Sequence, residues 1–287
     1  MTALAERPAA APSRETYSIG PEPRTRREWL LDQWAHREVL VMLARKQFHV
    51  RYKRALFGVL WAVAVPGIQA GILAAVFSHF VHTHQGYSYP AYVVAAVFGW
   101  SYYSQTLGTG STAIVDGSSL ADKLWFPRSV LVISECLAAL PGLCISLVLL
   151  LILLPIFGVG YAPHTLFLIP AVLLLVAFCT SLTLCLSALH VYFRDVKYMI
   201  QASLLVLFYL TPVAYPQRRL GGLGPWMDFN PLTGVANMFH LAAVGRPDLW
   251  ATNLPRSVAV TGGVTIVLAL VALEAHRRRD RLFVDLL

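Results

Sequence analysis

The chain has 287 residues, 57% hydrophobic and 13% charged, with a mean hydropathy of +0.60 and a net charge of +8. Soluble domains carry roughly 25% charged residues, so this composition excludes a water-soluble globule and points to an integral membrane protein. The positive balance does not indicate nucleic-acid binding, because the basic residues flank apolar runs and form no basic stripe with interleaved aromatics.

Residues 1–24 are rich in Ala, Pro, Arg and Glu and lack the apolar centre of a signal peptide. They read as a disordered cytoplasmic tail preceding a single transmembrane domain over 25–287. Residues 26–54 are basic and partly amphipathic. Leu30, Leu31, Trp34, Val41 and Met42 make an apolar stripe, with Asp32, His36, Arg37, Arg45 and Lys46 outside it. The run 39–44 is too short to cross a bilayer, so a cytoplasmic interfacial helix over about 26–50 is expected. Arg51, Lys53 and Arg54 stand at the entry to the first span.

Six spans follow between about 55 and 276, at 55–81, 90–114, 130–157, 166–192, 198–215 and 257–275. The stretch 192–216 joins a charged turn, Phe193-Arg194-Asp195-Val196-Lys197, to an apolar run ended by Pro212 and Pro216, the pattern of a span pinned by ions and stopped by prolines. Between the last two spans, 217–254 is too broken for a full crossing. Within it Pro231 to Val244 is apolar over about four turns, and one or two short re-entrant helices are expected on the external side, a form tolerated where it lines protein or water. The expected fold is therefore all-α, with six transmembrane helices. If the N-terminus is inside, cytoplasmic segments hold 19 Lys or Arg and external segments four. The positive-inside rule then places both termini in the cytoplasm. The four cysteines fall inside spans without metal-ligand spacing. His79, His82 and His84 lack nearby carboxylates and make a poor metal site.

Four short motifs occur in a telling order. VRYKRALFGVLW from Val50 to Trp61 precedes Pro66, and Phe126-Pro127-Arg128 opens the third span. The stretch 192–216 follows, and Asn230-Pro231-Leu232-Thr233-Gly234 precedes the last span. Together, over about 35–285, they resemble the ABC-2 type permeases that export polysaccharides. The resemblance implies a half-transporter that pairs with a second copy of itself and binds two ATP-binding subunits, which would carry ATP and Mg. Relatives move polyprenyl-diphosphate-linked glycans of the O-antigen, teichoic acid or cell-wall galactan type across a bacterial cytoplasmic membrane. The chain holds no G-x-x-x-x-G-K-[ST] phosphate loop, so no cofactor and no catalytic residue is assigned to it.

An ATPase acting on a membrane domain needs rigid cytoplasmic elements to transmit movement. The candidates are Trp34 and Arg37 in the interfacial segment, the loop residues Asp116, Asp122, Lys123, Leu124, Trp125 and Phe126, and the turn at Arg194 and Asp195. Arg45, Lys46, Arg51, Lys53 and Arg54 suit a lipid diphosphate headgroup, although membrane lipids alone attract such a cluster. Tyr102, Tyr103 and Tyr209 are expected to line a glycan path by stacking on sugar rings. Glu135 is the clearest ionisable group at membrane depth, and Arg128, seven residues earlier on the same helical face, is its expected partner. Two alternatives remain open at this point. One is an ABC-2 exporter of drugs or small lipids. The other is an ion-coupled secondary transporter, which would need more intramembrane acids.

Overall fold

The computed structural model describes residues 25–78, 87–118 and 126–279, and among these the chain is entirely helical. Nine helices carry the architecture: α1 (Arg26–Ala35), α2 (Arg37–Tyr52), α3 (Trp61–Ser78), α4 (Tyr89–Gly110), α5 (Ser129–Ile156), α6 (Leu168–Tyr192), α7 (Val196–Leu210), α8 (Pro231–Val244) and α9 (Leu254–Arg279). Four helical stretches, Gly58–Ser78, Ser129–Ile156, Pro163–Tyr192 and Leu254–Arg278, are long and apolar enough to cross a membrane. The chain is thus a multi-pass membrane protein.

α4 is the centre of the bundle. It packs against α3, α5, α6, α7 and α8, and Tyr92, Val93, Ala95, Val97 and Phe98 are almost wholly covered. Its 22 residues span about 33 Å, enough to cross a membrane, yet Tyr, Ser, Gln and Thr make it too polar for an apolar span. Because neighbouring helices surround it, those polar groups need not face lipid. α7 is the converse case. It is apolar but only 15 residues long and stops at Leu210, before the two prolines, where Thr211 turns extended.

Lipid tails are as apolar as leucine, so helices in a membrane associate through close packing and hydrogen bonds more than through hydrophobic burial. Two contacts illustrate this. A Cβ at Gly110 would sit 2.5 Å from the Thr183 methyl of α6. A side chain at Gly234 would overlap Thr261 Oγ1 and the Ser257 carbonyl of α9. There the Thr261 hydroxyl donates to the Pro231 carbonyl at 2.6 Å.

The interfacial segment is two helices rather than one. Thr25 caps α1 in a reciprocal box with Glu28. The backbone breaks at His36, which ends α1 and starts α2 with φ −91° and ψ 14°. The side chains of the expected apolar stripe, Leu30, Leu31, Trp34, Val41 and Met42, point away from the protein at 43–70% exposure. Trp29 and Leu43 make the inward contacts instead. α8 has the extent anticipated from its sequence. Asn230 Oδ1 accepts from Leu232 N at 3.0 Å, proline occupies the first turn, and Gly245 closes the helix with φ 77°.

Candidate functional site: a basic cavity at one end of the bundle

Contacts sort the molecule into two ends. At the first, Gln33 of α1 donates to Ser129 at the start of α5 at 2.7 Å. Arg26 lies 3.8 Å from Glu274 near the end of α9. Glu274 in turn holds Arg277 at 2.7 Å and also pairs with Arg278. At the other end the Tyr89 hydroxyl, where α4 begins, donates to the Ala214 carbonyl. Arg218 Nε donates to the Ala251 carbonyl at 2.6 Å there.

The first end contains a cavity of about 520 Å³. α2 supplies Lys46 and Arg51, the end of α4 supplies Thr109, and the single helical turn Ala113–Asp116 supplies Asp116. α5 adds Glu135 and the start of α7 adds Lys197. Its centre is an ion pair between Arg51 Nη2 and Glu135 Oε2 at 3.0 Å, with side chains 19% and 10% exposed. Thr109 Oγ1 lies 3.4 Å from the same nitrogen, while Arg51 Nη1 is buried without a hydrogen-bond partner. Lys46 and Lys197 have no ion-pair partner among the described residues.

The expected partner of Glu135 is therefore corrected from Arg128 to Arg51. Arg128 shares a face with Glu135 by spacing, but it sits at the N-cap of α5, where its guanidinium lies 5.9 Å from the centre of the Phe126 ring. α2 lies along α5 and brings Arg51 to the carboxylate across 84 residues of sequence.

The other anticipated residues divide clearly. Arg45, Lys46, Lys53 and Arg54 are exposed, and Arg54 takes a left-handed φ of 65° just beyond the end of α2. Trp34 is 70% exposed with Arg37 stacked 5.7 Å from its ring centre. Arg194 and Asp195 are exposed at the turn before α7. Asp116 accepts from the Thr112 hydroxyl at 2.6 Å. Phe126 is buried. Asp122, Lys123, Leu124 and Trp125 lie outside the described residues, as do His79, His82 and His84. The four cysteines are free thiols.

Tyr102 and Tyr103 are only 2% exposed. Tyr102 donates to the Cys136 carbonyl at 3.2 Å and Tyr103 stacks near Phe178. They cannot offer ring faces to a passing sugar in this arrangement, because their own bundle covers them. Tyr209 is 65% exposed and retains a free face. Its carbonyl accepts from the Tyr215 hydroxyl at 2.7 Å.

Two features at the other end escape sequence reasoning. His240 stacks on Tyr92 at 3.5 Å and 11°, edge-on to Trp250, and all three are fully covered. The fully buried Gln217 amide donates to Gly224 O, Asp228 Oδ1 and Thr252 Oγ1 at 2.6–2.8 Å. Asn237 and Ser257 extend that network into α8 and α9. Only the polarity of Gln217 and Asp228 inside an apolar neighbourhood hints at it.

The comparisons agree with this architecture. The family model described as ABC-2 type transporter matches residues 38–242. The chain belongs to the ABC-2 type transporter family. It is 28% identical over 183 residues to the O-antigen export system permease protein RfbA of Myxococcus xanthus, covering 64% of this chain and 70% of that one. Two proteins of the same description from Klebsiella pneumoniae are 26% and 25% identical over 201 residues, covering 69% of this chain and 77% of each. An ABC-2 permease domain has no ATPase of its own, so the family implies an ATP-hydrolysing partner. That places this chain among ATP-driven permeases and against the ion-coupled alternative.

Proposed function

We propose that the chain is the membrane subunit of an exporter that moves a lipid-linked polysaccharide outward across a bacterial cytoplasmic membrane. The observation that carries this reading is the cavity that gathers Lys46, Arg51 and Lys197 at the basic end of the bundle. Three cations from two helices suit a diphosphate headgroup, which Arg binds as a fork and Lys as a point charge. The similar proteins are O-antigen export permeases, which supports a glycan attached to such a headgroup.

In this reading the basic end is cytoplasmic, both termini are inside, and α4 and α7 complete six spans with the other four. α8 with the turn Gly224–Met227 forms a re-entrant cap on the outer side. The permease pairs with a second copy and two ATPase subunits dock at the basic end, carrying ATP and Mg. α1 and α2 with Trp34 and Arg37, the loop from Asp116 through Phe126, and the turn at Arg194 and Asp195 transmit the stroke. Arg45, Lys53 and Arg54 guide the headgroup to the cavity, and Tyr209 offers a ring face to the glycan behind it.

The test is ATP hydrolysis by the purified permease–ATPase complex in lipid nanodiscs. Polyprenyl-diphosphate-linked glycan is expected to stimulate turnover several-fold, and Lys46→Gln with Arg51→Gln to abolish the stimulation while basal hydrolysis persists. Equal stimulation by uncharged amphiphilic drugs, unaffected by those substitutions, would instead support an exporter of drugs or small lipids.

A further inference from the structure

We infer that Glu135 is an internal placeholder for the ligand of the basic cavity, and that a diphosphate ester binds by taking Arg51 from it while engaging Lys197. This rests on the headgroup reading above and adds how the site is kept in its empty form.

The geometry at Arg51 is incomplete. A guanidinium offers five N–H donors in a planar fork. Glu135 engages it through one contact at 3.0 Å rather than two parallel ones, and Nη1 is buried with no acceptor. A largely buried guanidinium without a counter-charge is unfavourable, so with the cavity empty Glu135 supplies the compensation. A diphosphate carries more charge than a carboxylate and presents paired oxygens that match the fork. It can satisfy both terminal nitrogens where Glu135 satisfies one.

Lys197 gives the exchange a direction. It is the second residue of α7, directly after the turn at Arg194 and Asp195, and lines the same cavity as Lys46 and Arg51. A ligand held by all three ties α2 to the start of α7 while loosening α2 from Glu135 on α5. Asp116, the other acid of the cavity, is already engaged by the Thr112 hydroxyl. Occupancy thus trades the ion pair between α2 and α5 for a link from α2 to the start of α7, at the end where the ATPase subunits would dock.

The test uses the full chain in detergent with farnesyl diphosphate as the probe and titration calorimetry as the readout. Glu135→Gln keeps a hydrogen-bonding group but removes the competing charge. It is expected to tighten binding about tenfold, the factor lost when a site is open only one time in ten. Glu135→Asp keeps the charge but shortens its reach, and should fall between Gln and wild type. Lys197→Gln should weaken binding about tenfold, the equivalent of one charge-assisted contact, and Arg51→Gln should abolish it. The same order with inorganic pyrophosphate would support the proposal and show that the phosphates rather than the chain are read. Binding by wild type that is lost in Arg51→Gln but no tighter in Glu135→Gln and Glu135→Asp would overturn it, leaving Glu135 as a support for Arg51. Absence of diphosphate binding in wild type and every variant would overturn the headgroup reading and this inference together.

Discussion

At the scale of single residues, the proposed site depends on charges placed where water is scarce. Glu135→Ala would leave Arg51 partly buried without its counter-ion. Removing one member of a buried pair costs roughly 3–5 kcal/mol, and the residual exposure of this one puts the expected loss nearer about 2 kcal/mol, read as a lowered thermal midpoint in detergent. Arg128→Gln should leave the Arg51–Glu135 pair intact. Comparable thermal losses in the two variants, with no further loss in the double variant, would restore the partner suggested by spacing. Spacing pointed to Arg128 because helical periodicity reports which residues of one helix share a face but not which other helix crosses it. The Gln217 network was equally hidden. Gln217→Leu removes the amide's contacts with Gly224 O, Asp228, Thr252 and Asn237 and leaves the Asp228 carboxylate with the Thr252 hydroxyl as its hydrogen-bond donor, and is expected to cost about 2–4 kcal/mol. Urea or thermal unfolding of the variant beside wild type would measure it.

At the scale of elements, hydropathy located the helices well and ranked them poorly. α5, α6, α8 and α9 were legible because their residues are apolar all round or, in α8, framed by Asn230, Pro231 and Gly245. The stretch 192–216 stands out in the sequence, yet the bundle is organised around α4, whose tyrosines and threonines disguise it. A helix sheathed by protein needs no lipid-compatible surface, so polarity along α4 reflects its central position. The same sheathing removes Tyr102 and Tyr103 from any sugar path. The break between α1 and α2 at His36 was not legible, because no proline or glycine marks it. Close packing of α8 on α9 makes a sharp prediction. Gly234→Ala should destabilise by about 1–3 kcal/mol through overlap with Thr261 and the Ser257 carbonyl. Gly262→Ala, where a methyl meets open space, should change the midpoint by about 0.5 kcal/mol or less. Thermal unfolding of the two variants side by side checks the contrast.

At the scale of the whole molecule, the basic cavity and the Gln217 network lie at opposite ends of one bundle. In the proposed function the first end receives the headgroup and the second faces outward. The family assignment makes ATP hydrolysis by a partner the energy source, and the motif order in the sequence had already implied it. What the sequence could not supply was convergence: Asp116, Arg51 and Lys197 come from three separate candidate elements and meet only in the fold. The most direct measurement is transport by the permease co-purified with its ATPase and reconstituted in proteoliposomes. A lipid-linked glycan is expected to cross only with ATP, Arg51→Gln to abolish crossing, and ion gradients not to replace ATP. Crossing driven by an ion gradient without ATP, or ATP-driven crossing indifferent to Arg51, would contradict the proposed function.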